Sequence, residues 1–417
     1  MNTNSNNRLP AYIIACACLL LVIAASVFCH RLSITLQHAG MYDFGIFFDT
    51  CRHFIETGQL YDRDLAAYEP LAPVYKFPPL SAAVMVQIER AGVSAATLAG
   101  MGGWLEIMLF VLPTLLLAST LFPVGKSVAV LSGIFIVCVT GPTLEENITR
   151  LQLEPVLFAC CALSLLLLLK QQDFLAGMLM GLAVCLKLYP AVMVFYFLLT
   201  RRWLALAGII AVTLLATMYS VWVLGLQEHV FFLRDLLPVL LRENPIKDPE
   251  SVSIASWAHA LGLLPAYAKI LSQGLLLLAL FLAARWVLMN KITPAKTMTE
   301  KDLVAAGFSA FLLAMLIGMP NPLWNYQILL VIPVTVIAGQ YVRKVIECRQ
   351  PFEVMPVVVL VCVAAALHIG AASTVDDAYY PASFVQKILI SLLRTSAPFV
   401  LFGLLLARGR KKITSFS

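Results

Sequence analysis

Apolar runs long enough to cross a lipid bilayer follow one another along almost the whole chain, and this repetition constrains the fold more than any single motif. A hydrocarbon core of roughly 30 Å takes about 20 apolar residues as helix, and unpaired backbone groups cannot be left in it. With 61% hydrophobic and only 12% charged residues and a mean hydropathy of +0.88, the chain cannot clothe a soluble surface. The expected fold class is an all-α polytopic membrane protein, one integral-membrane domain over 1–417 with no soluble domain between its spans. The first run, Ala11 to Cys29, follows a polar start whose one charged residue is Arg8, and it reads as an uncleaved anchor.

The net charge of +6 resides mostly in short basic loops, so it reports orientation and not nucleic-acid binding. Basic breaks recur at Lys170, at Arg201-Arg202, at Lys291, Lys296 and Lys301, at Arg343-Lys344 and in the tail from Arg408 to Lys412. By the positive-inside rule these face the cytoplasm, with spans near 203–224, 266–288, 303–319, 325–342, 354–372 and 385–407. Lys170 and Arg201-Arg202 flank one long apolar run, and a single crossing would put them on opposite sides. A helix break at Lys187-Leu188-Tyr189-Pro190 resolves the conflict, with two short helices meeting near the outer side and Lys187 at their apex. Residues 77–90 are too short to cross, at about 14 residues of 1.5 Å rise. The count becomes about twelve crossings with both termini cytoplasmic. Most of the ten cysteines lie in apolar runs as small hydrophobes, and no zinc-ligand spacing or phosphate-binding glycine loop is present.

The polar material gathers on the other face. Its largest piece is the outer loop 31–76, which packs Tyr42-Asp43-Phe44-Gly45-Ile46-Phe47-Phe48-Asp49, Gly58-Gln59-Leu60-Tyr61-Asp62 and Tyr75-Lys76-Phe77-Pro78-Pro79. A polar loop of this size in so apolar a chain is where chemistry is expected. The others are Glu145 to Glu154, the Lys187 apex, 225–259 with an outer loop at 225–253, and Asn321 to Gln327.

In this order, Asp43-Phe44-x-x-Phe47-Phe48, Gly58-x-Leu60-Tyr61-Asp62, Phe77-Pro78-Pro79, Gln152, Ala176-Gly177 to Gly181, Lys187-x-x-Pro190, Arg201-Arg202-Trp203 and Pro322-x-Trp324 resemble the GT-C superfamily of membrane glycosyltransferases. Within it, the resemblance is to glycosyltransferase family 87, which includes polyprenol-phosphate-mannose-dependent mannosyltransferases. It is loose in spacing and covers about three quarters of the chain. It implies a GT-C-like bundle of about 12 transmembrane helices, its first outer loop carrying juxtamembrane helices, in a bacterial inner membrane with the active site on the periplasmic face. Asn325-Tyr326-Gln327 stands where relatives carry histidines, and Lys76 looks more like the lysine before Pro-Pro in aminoarabinose-type lipid glycosyltransferases. Mannose, another hexose and a pentofuranose stay open as the transferred sugar.

The resemblance implies a polyprenyl-phosphate-sugar donor, a lipid or glycan acceptor and an inverting displacement without cofactor or metal. Asp43 is the candidate general base for the acceptor hydroxyl, with a helix N-cap as its plainer alternative. Lys187, Lys76 and Arg150 are candidates for the donor phosphate, whose charge grows as it leaves. A lysine far from a span end is a functional candidate, although Lys187 could also snorkel. Tyr42, Phe47, Tyr61, Tyr75, Gln152, His259, Trp324 and Tyr326 are candidates for substrate contact; an Arg-Glu pair holding the second loop, or an aromatic belt, would account for several of them. Asp49 and Asp376-Asp377 read as solvated acids. A flippase for a lipid-linked sugar is the main rival, and a polysaccharide polymerase or ligase using Arg234 and Arg242 is another.

Overall fold

A computed structural model describes residues 11–37, 43–68, 74–122, 126–242, 253–292, 298–319, 324–346 and 384–408, which form helices and connecting turns with no strand among them. The elements are α1 (Ala11–Gln37), α2 (Asp43–Thr57), α3 (Pro79–Arg90), α4 (Ala95–Leu121), α5 (Lys126–Thr140), α6 (Pro142–Arg150), α7 (Glu154–Leu169) and α8 (Asp173–Leu186). They continue as α9 (Met193–Thr200), α10 (Trp203–Leu224), α11 (Leu226–Phe231), α12 (Leu237–Arg242), α13 (Ile254–Ala260), α14 (Pro265–Ile292), α15 (Glu300–Gly318), α16 (Val331–Ile346) and α17 (Phe384–Arg408). Helix is the form in which these runs satisfy their own backbone away from water.

Among the described residues, five helices are long and apolar enough to cross a membrane: Ala95–Leu121, Trp203–Leu224, Pro265–Asn290, Glu300–Gly318 and Asn325–Arg343. The last four lie on the spans expected near 203–224, 266–288, 303–319 and 325–342, and α17 lies on the one near 385–407. The span near 354–372, the tail beyond Arg408 and the pair Asp376-Asp377 lie outside the described residues. Within 77–90 the helix α3 has 12 residues, opened by Pro79 with Pro78 at its cap. The segment 225–253, expected as a loop, is helical as far as Arg242, with a π-helical turn Phe232–Leu236 between α11 and α12.

The break at Lys187 is where the residues indicate. Helix α8 ends at Leu186, Lys187 is extended at φ −145° and ψ 140°, and a 3-10 turn Tyr189–Val192 leads into α9. Pro190 cannot donate to the preceding turn, so an uninterrupted helix is closed to this segment. Helices α7 and α8 form an antiparallel hairpin in which Ser164 Oγ donates to Ala176 O at 2.9 Å. Helix α8 then packs on α10 almost without side chains between: a Cβ on Gly177 would stand 1.9 Å from Ala205 O, and one on Gly208 would stand 2.2 Å from Phe174 O. Small residues at this spacing let helices associate in lipid, where no hydrophobic drive brings them together.

The polar interactions collect at the two ends of the bundle. At one end Arg202 pairs with Asp173, and Arg343 holds Asp302 at 2.8 Å where Thr299 and Asp302 form the capping box of α15. The opposite end carries the candidate site. A second, smaller apolar core lies there, in which Phe47, Cys51, Phe54, Tyr61, Tyr75, Ala82 and Val86 meet Val223, Leu224, Phe232 and Leu236.

Candidate active site

Helix α2 is amphipathic. Phe44, Phe47, Phe48, Cys51 and Phe54 are buried at helical spacing while Arg52, His53 and Glu56 are exposed. Gly58, at φ +75°, ends the helix in the left-handed region that favours glycine, its N–H donating to Phe54 O at 2.8 Å. The next residues are clamped from a distance. Glu228, 3% exposed, accepts the backbone N–H groups of Leu60 and Tyr61 at 3.2 and 3.4 Å and pairs with Arg63, whose guanidinium lies 4.2 Å from the Phe231 ring centroid.

Two tyrosines then shape the turn before α3. Tyr61 Oη donates to Phe77 O at 2.8 Å. Tyr75 Oη lies 3.0 Å from Pro78 O and 2.7 Å from Ser81 Oγ, and accepts from Ala82 N at 3.1 Å. Burial pushes the phenol pKa of Tyr61 well above its ordinary value and raises that of Tyr75, and it lifts Tyr68 to about 12. All three stay neutral donors at physiological pH. The outcome is a fixed position for Phe77, whose ring lies 4.7 Å from that of Phe47 and 5.7 Å from that of Tyr75.

Lys187 meets this wall from the other side. Its ammonium is 4.8 Å from the Phe77 ring and 4.8 Å from the Tyr326 ring, donates to Tyr326 Oη at 3.4 Å, and pairs with Glu154 at the N-terminus of α7. The lysine is 5% exposed and Glu154 is 0% exposed. Aromatic faces and one carboxylate thus replace water around the cation. Tyr189 packs edge-on to Tyr326 at 5.4 Å.

The remaining candidates divide. Asp43 opens α2 four residues before Phe47, so its backbone stands about one turn, roughly 6 Å of rise, from that of Phe47, whose ring touches Phe77. Lys76 is half-buried beside Phe77 in the chain, and Gln152 is buried between α6 and α7. Arg150 pairs with Glu146 on α6, while Arg31 reaches Glu145 at 2.7 Å. Burial raises the Glu145 carboxyl above its usual range against the pull of Arg31. Asn147 on the same helix donates to Asn325 O at 3.2 Å, tying the second polar loop to the Tyr326 segment. Trp324 opens the 3-10 helix that carries Tyr326. His259 stands apart, its Nδ1 bonded to Leu263 O at 2.9 Å at the end of α13. Tyr42 lies outside the described residues.

Glu228, Glu154 in its pairing and Glu106 are residues that sequence reasoning passed over. Glu106 carried a usable signal, a lone acid in an apolar stretch. The partner of each was not readable, since Glu154 and Lys187 are 33 residues apart and Glu228 and Leu60 are 168 apart.

These features define a class: an all-α integral membrane protein with a charged, aromatic-walled site at one end of its bundle. The chain belongs to glycosyltransferase family 87, whose sequence model matches residues 75–320, more than half of its length, and it is a glycosyltransferase. The matched stretch includes Lys76, Phe77, Arg150, Glu154 and Lys187, begins after Asp43 and ends before Tyr326. No curated protein matches the chain.

Proposed function

We propose that the enzyme transfers a sugar, mannose or another hexose, from polyprenyl phosphate to a glycolipid or glycan acceptor at the outer face of a bacterial inner membrane, with inversion at the anomeric carbon. The observation that carries this is Lys187: a buried ammonium at a helix break, walled by Phe77 and Tyr326, with Phe77 in turn against Phe47, one turn of α2 beyond the backbone of Asp43. A lysine so placed suits a phosphate held at the membrane boundary with its lipid tail among apolar helices. The bundle would cross the bilayer about twelve times, its shorter helices paired in hairpins like α7 and α8.

In the proposed reaction the acceptor oxygen forms a bond to the anomeric carbon as its proton passes to the Asp43 carboxylate. The bond from that carbon to the phosphate oxygen breaks, and its electron pair stays on the phosphate. Lys187, with Lys76 and Arg150, meets the charge that grows there, and no step calls on a metal. Phe47, Tyr61 and Tyr75 contribute through the wall they build around Phe77. Tyr42, Gln152, His259, Trp324 and Tyr326 are proposed to contact donor or acceptor.

Purified protein in detergent, where transport cannot be measured, is expected to move radiolabelled sugar from polyprenyl phosphate to a lipid acceptor. Asp43→Asn should retain the wild-type melting temperature and lose roughly 10²- to 10⁴-fold in turnover. Undiminished turnover in that variant would remove Asp43 from the chemistry, and donor translocation in vesicles without transfer would favour a flippase.

A further inference from the structure

Glu106 has no role in the arrangement above, yet it is 5% exposed in the interior of α4 and its Oε2 has no hydrogen-bond partner. A buried carboxylate oxygen without a donor is costly, and folded chains keep few of them. Its surroundings share the same deficit. Glu106 and Glu154 each precede, by one helical turn, the phenylalanines Phe110 and Phe158, whose ring centroids lie 5.4 Å apart. The two acids therefore stand at one level on adjacent helices, within electrostatic reach of each other. Glu154 Oε2, Tyr189 Oη, Asn147 Oδ1 and Asn325 Oδ1 are also buried without a hydrogen-bond partner. Tyr189 packs against Tyr326, whose hydroxyl accepts from the ammonium that pairs with Glu154, and Asn147 donates to the Asn325 backbone at 3.2 Å.

Apart from the Tyr189 hydroxyl and the Glu106 carboxyl, which can also donate, these orphan atoms are acceptors. They call for a neutral ligand bearing several hydroxyl groups on a rigid frame, each able to donate and to accept. We propose that Glu106, together with Glu154 and Tyr189, forms a subsite that hydrogen-bonds hydroxyl groups of the transferred sugar, and that Glu106 helps determine which sugar is accepted. This rests on the polyprenyl-phosphate-sugar reading of the site. The Lys187 pair couples the two halves of such a donor: a phosphate drawing on the ammonium deprives Glu154 of its partner, and a hydroxyl of the sugar joined to that phosphate replaces it.

The test offers purified enzyme polyprenyl phosphates carrying mannose, glucose or arabinofuranose, and then the monodeoxy analogues of whichever sugar is transferred. Wild type should reject at least one deoxy donor by roughly 10²-fold or more in kcat/KM, because its loss leaves a buried acceptor unpaired. Glu106→Leu should bring that ratio close to one without lowering the melting temperature. Glu106→Gln, which keeps the shape and puts an amide donor where an oxygen accepted, should shift the ratio too and serves if the leucine variant fails to fold. A wild-type ratio in both variants, whatever their overall rate, overturns the subsite while leaving the transferase intact. Wild type that transfers none of the sugars overturns both.

Discussion

At the scale of single residues, the energetics centre on the pair between Lys187 and Glu154. Both are nearly inaccessible, so removing one member strands the other charge, at a cost of about 3–5 kcal/mol, whereas removing both is close to neutral. Lys187→Met should therefore lower the melting temperature sharply, and the double variant Lys187→Met with Glu154→Gln should recover most of it. If donor binding uses the ammonium, the recovered double variant should still show a raised KM for the lipid donor. A wild-type KM in that folded double variant would place the phosphate elsewhere. Lys187 itself was legible in the sequence as an ionisable group in an apolar run before Pro190. Its carboxylate partner was not, because nothing local distinguishes Glu154 from Glu145 or Glu146. The same limit applies to Tyr61 and Tyr75, whose hydroxyls bind the backbone and side chains around Phe77 and Ser81.

At the scale of elements, contact between α8 and α10 depends on what is missing from Gly177, Gly181 and Gly208. Gly177→Ala would drive a methyl into the Ala205 carbonyl, which would stand 1.9 Å away, and should destabilise the protein by about 1–3 kcal/mol. Gly274→Ala on α14, where a Cβ would meet nothing within 4 Å, should be neutral or up to about 1 kcal/mol stabilising. Thermal melting of the two variants in one detergent checks this, and equal melting points would mean that α8 and α10 do not meet so closely. The helix break was legible because Lys-x-x-Pro interrupts an apolar run between two basic breaks. The helix over 226–242 was not, since its buried face fits a core formed from the distant first loop.

At the scale of the molecule, Arg202, Asp173, Arg343 and Asp302 mark one end and Lys187, Glu154 and the aromatic wall the other. Lys170, Arg201-Arg202 and Arg343 sit in the short breaks at the first end, so by the positive-inside rule the wall should face outward. Both Glu56 and Lys170 are exposed. In a background lacking native cysteines, Glu56→Cys should react with a membrane-impermeant maleimide on intact cells, and Lys170→Cys should react only after permeabilisation. The reverse pattern would put the site in the cytoplasm and remove an outward-facing donor. That the chain is helical with membrane-length apolar spans was legible from the length of the apolar runs, and charge parity is what puts the polar segments on one face in the expected topology. How the first loop folds was hidden, because its core is shared with segments more than a hundred residues away.

The hairpin of α7 and α8 bears on how the chain enters a bilayer. Its arms have 16 and 14 residues, about 24 and 21 Å of rise, and neither would span the hydrocarbon alone. With the Glu154 anion at the start of α7 and the Lys187 cation just past the end of α8, paired at the open end of the hairpin, the two arms can leave the translocon as one neutral unit. Insertion of this region is then expected to be a concerted, two-helix event, and a ribosome stalled after α7 alone should leave an acid-bearing stub that the bilayer rejects.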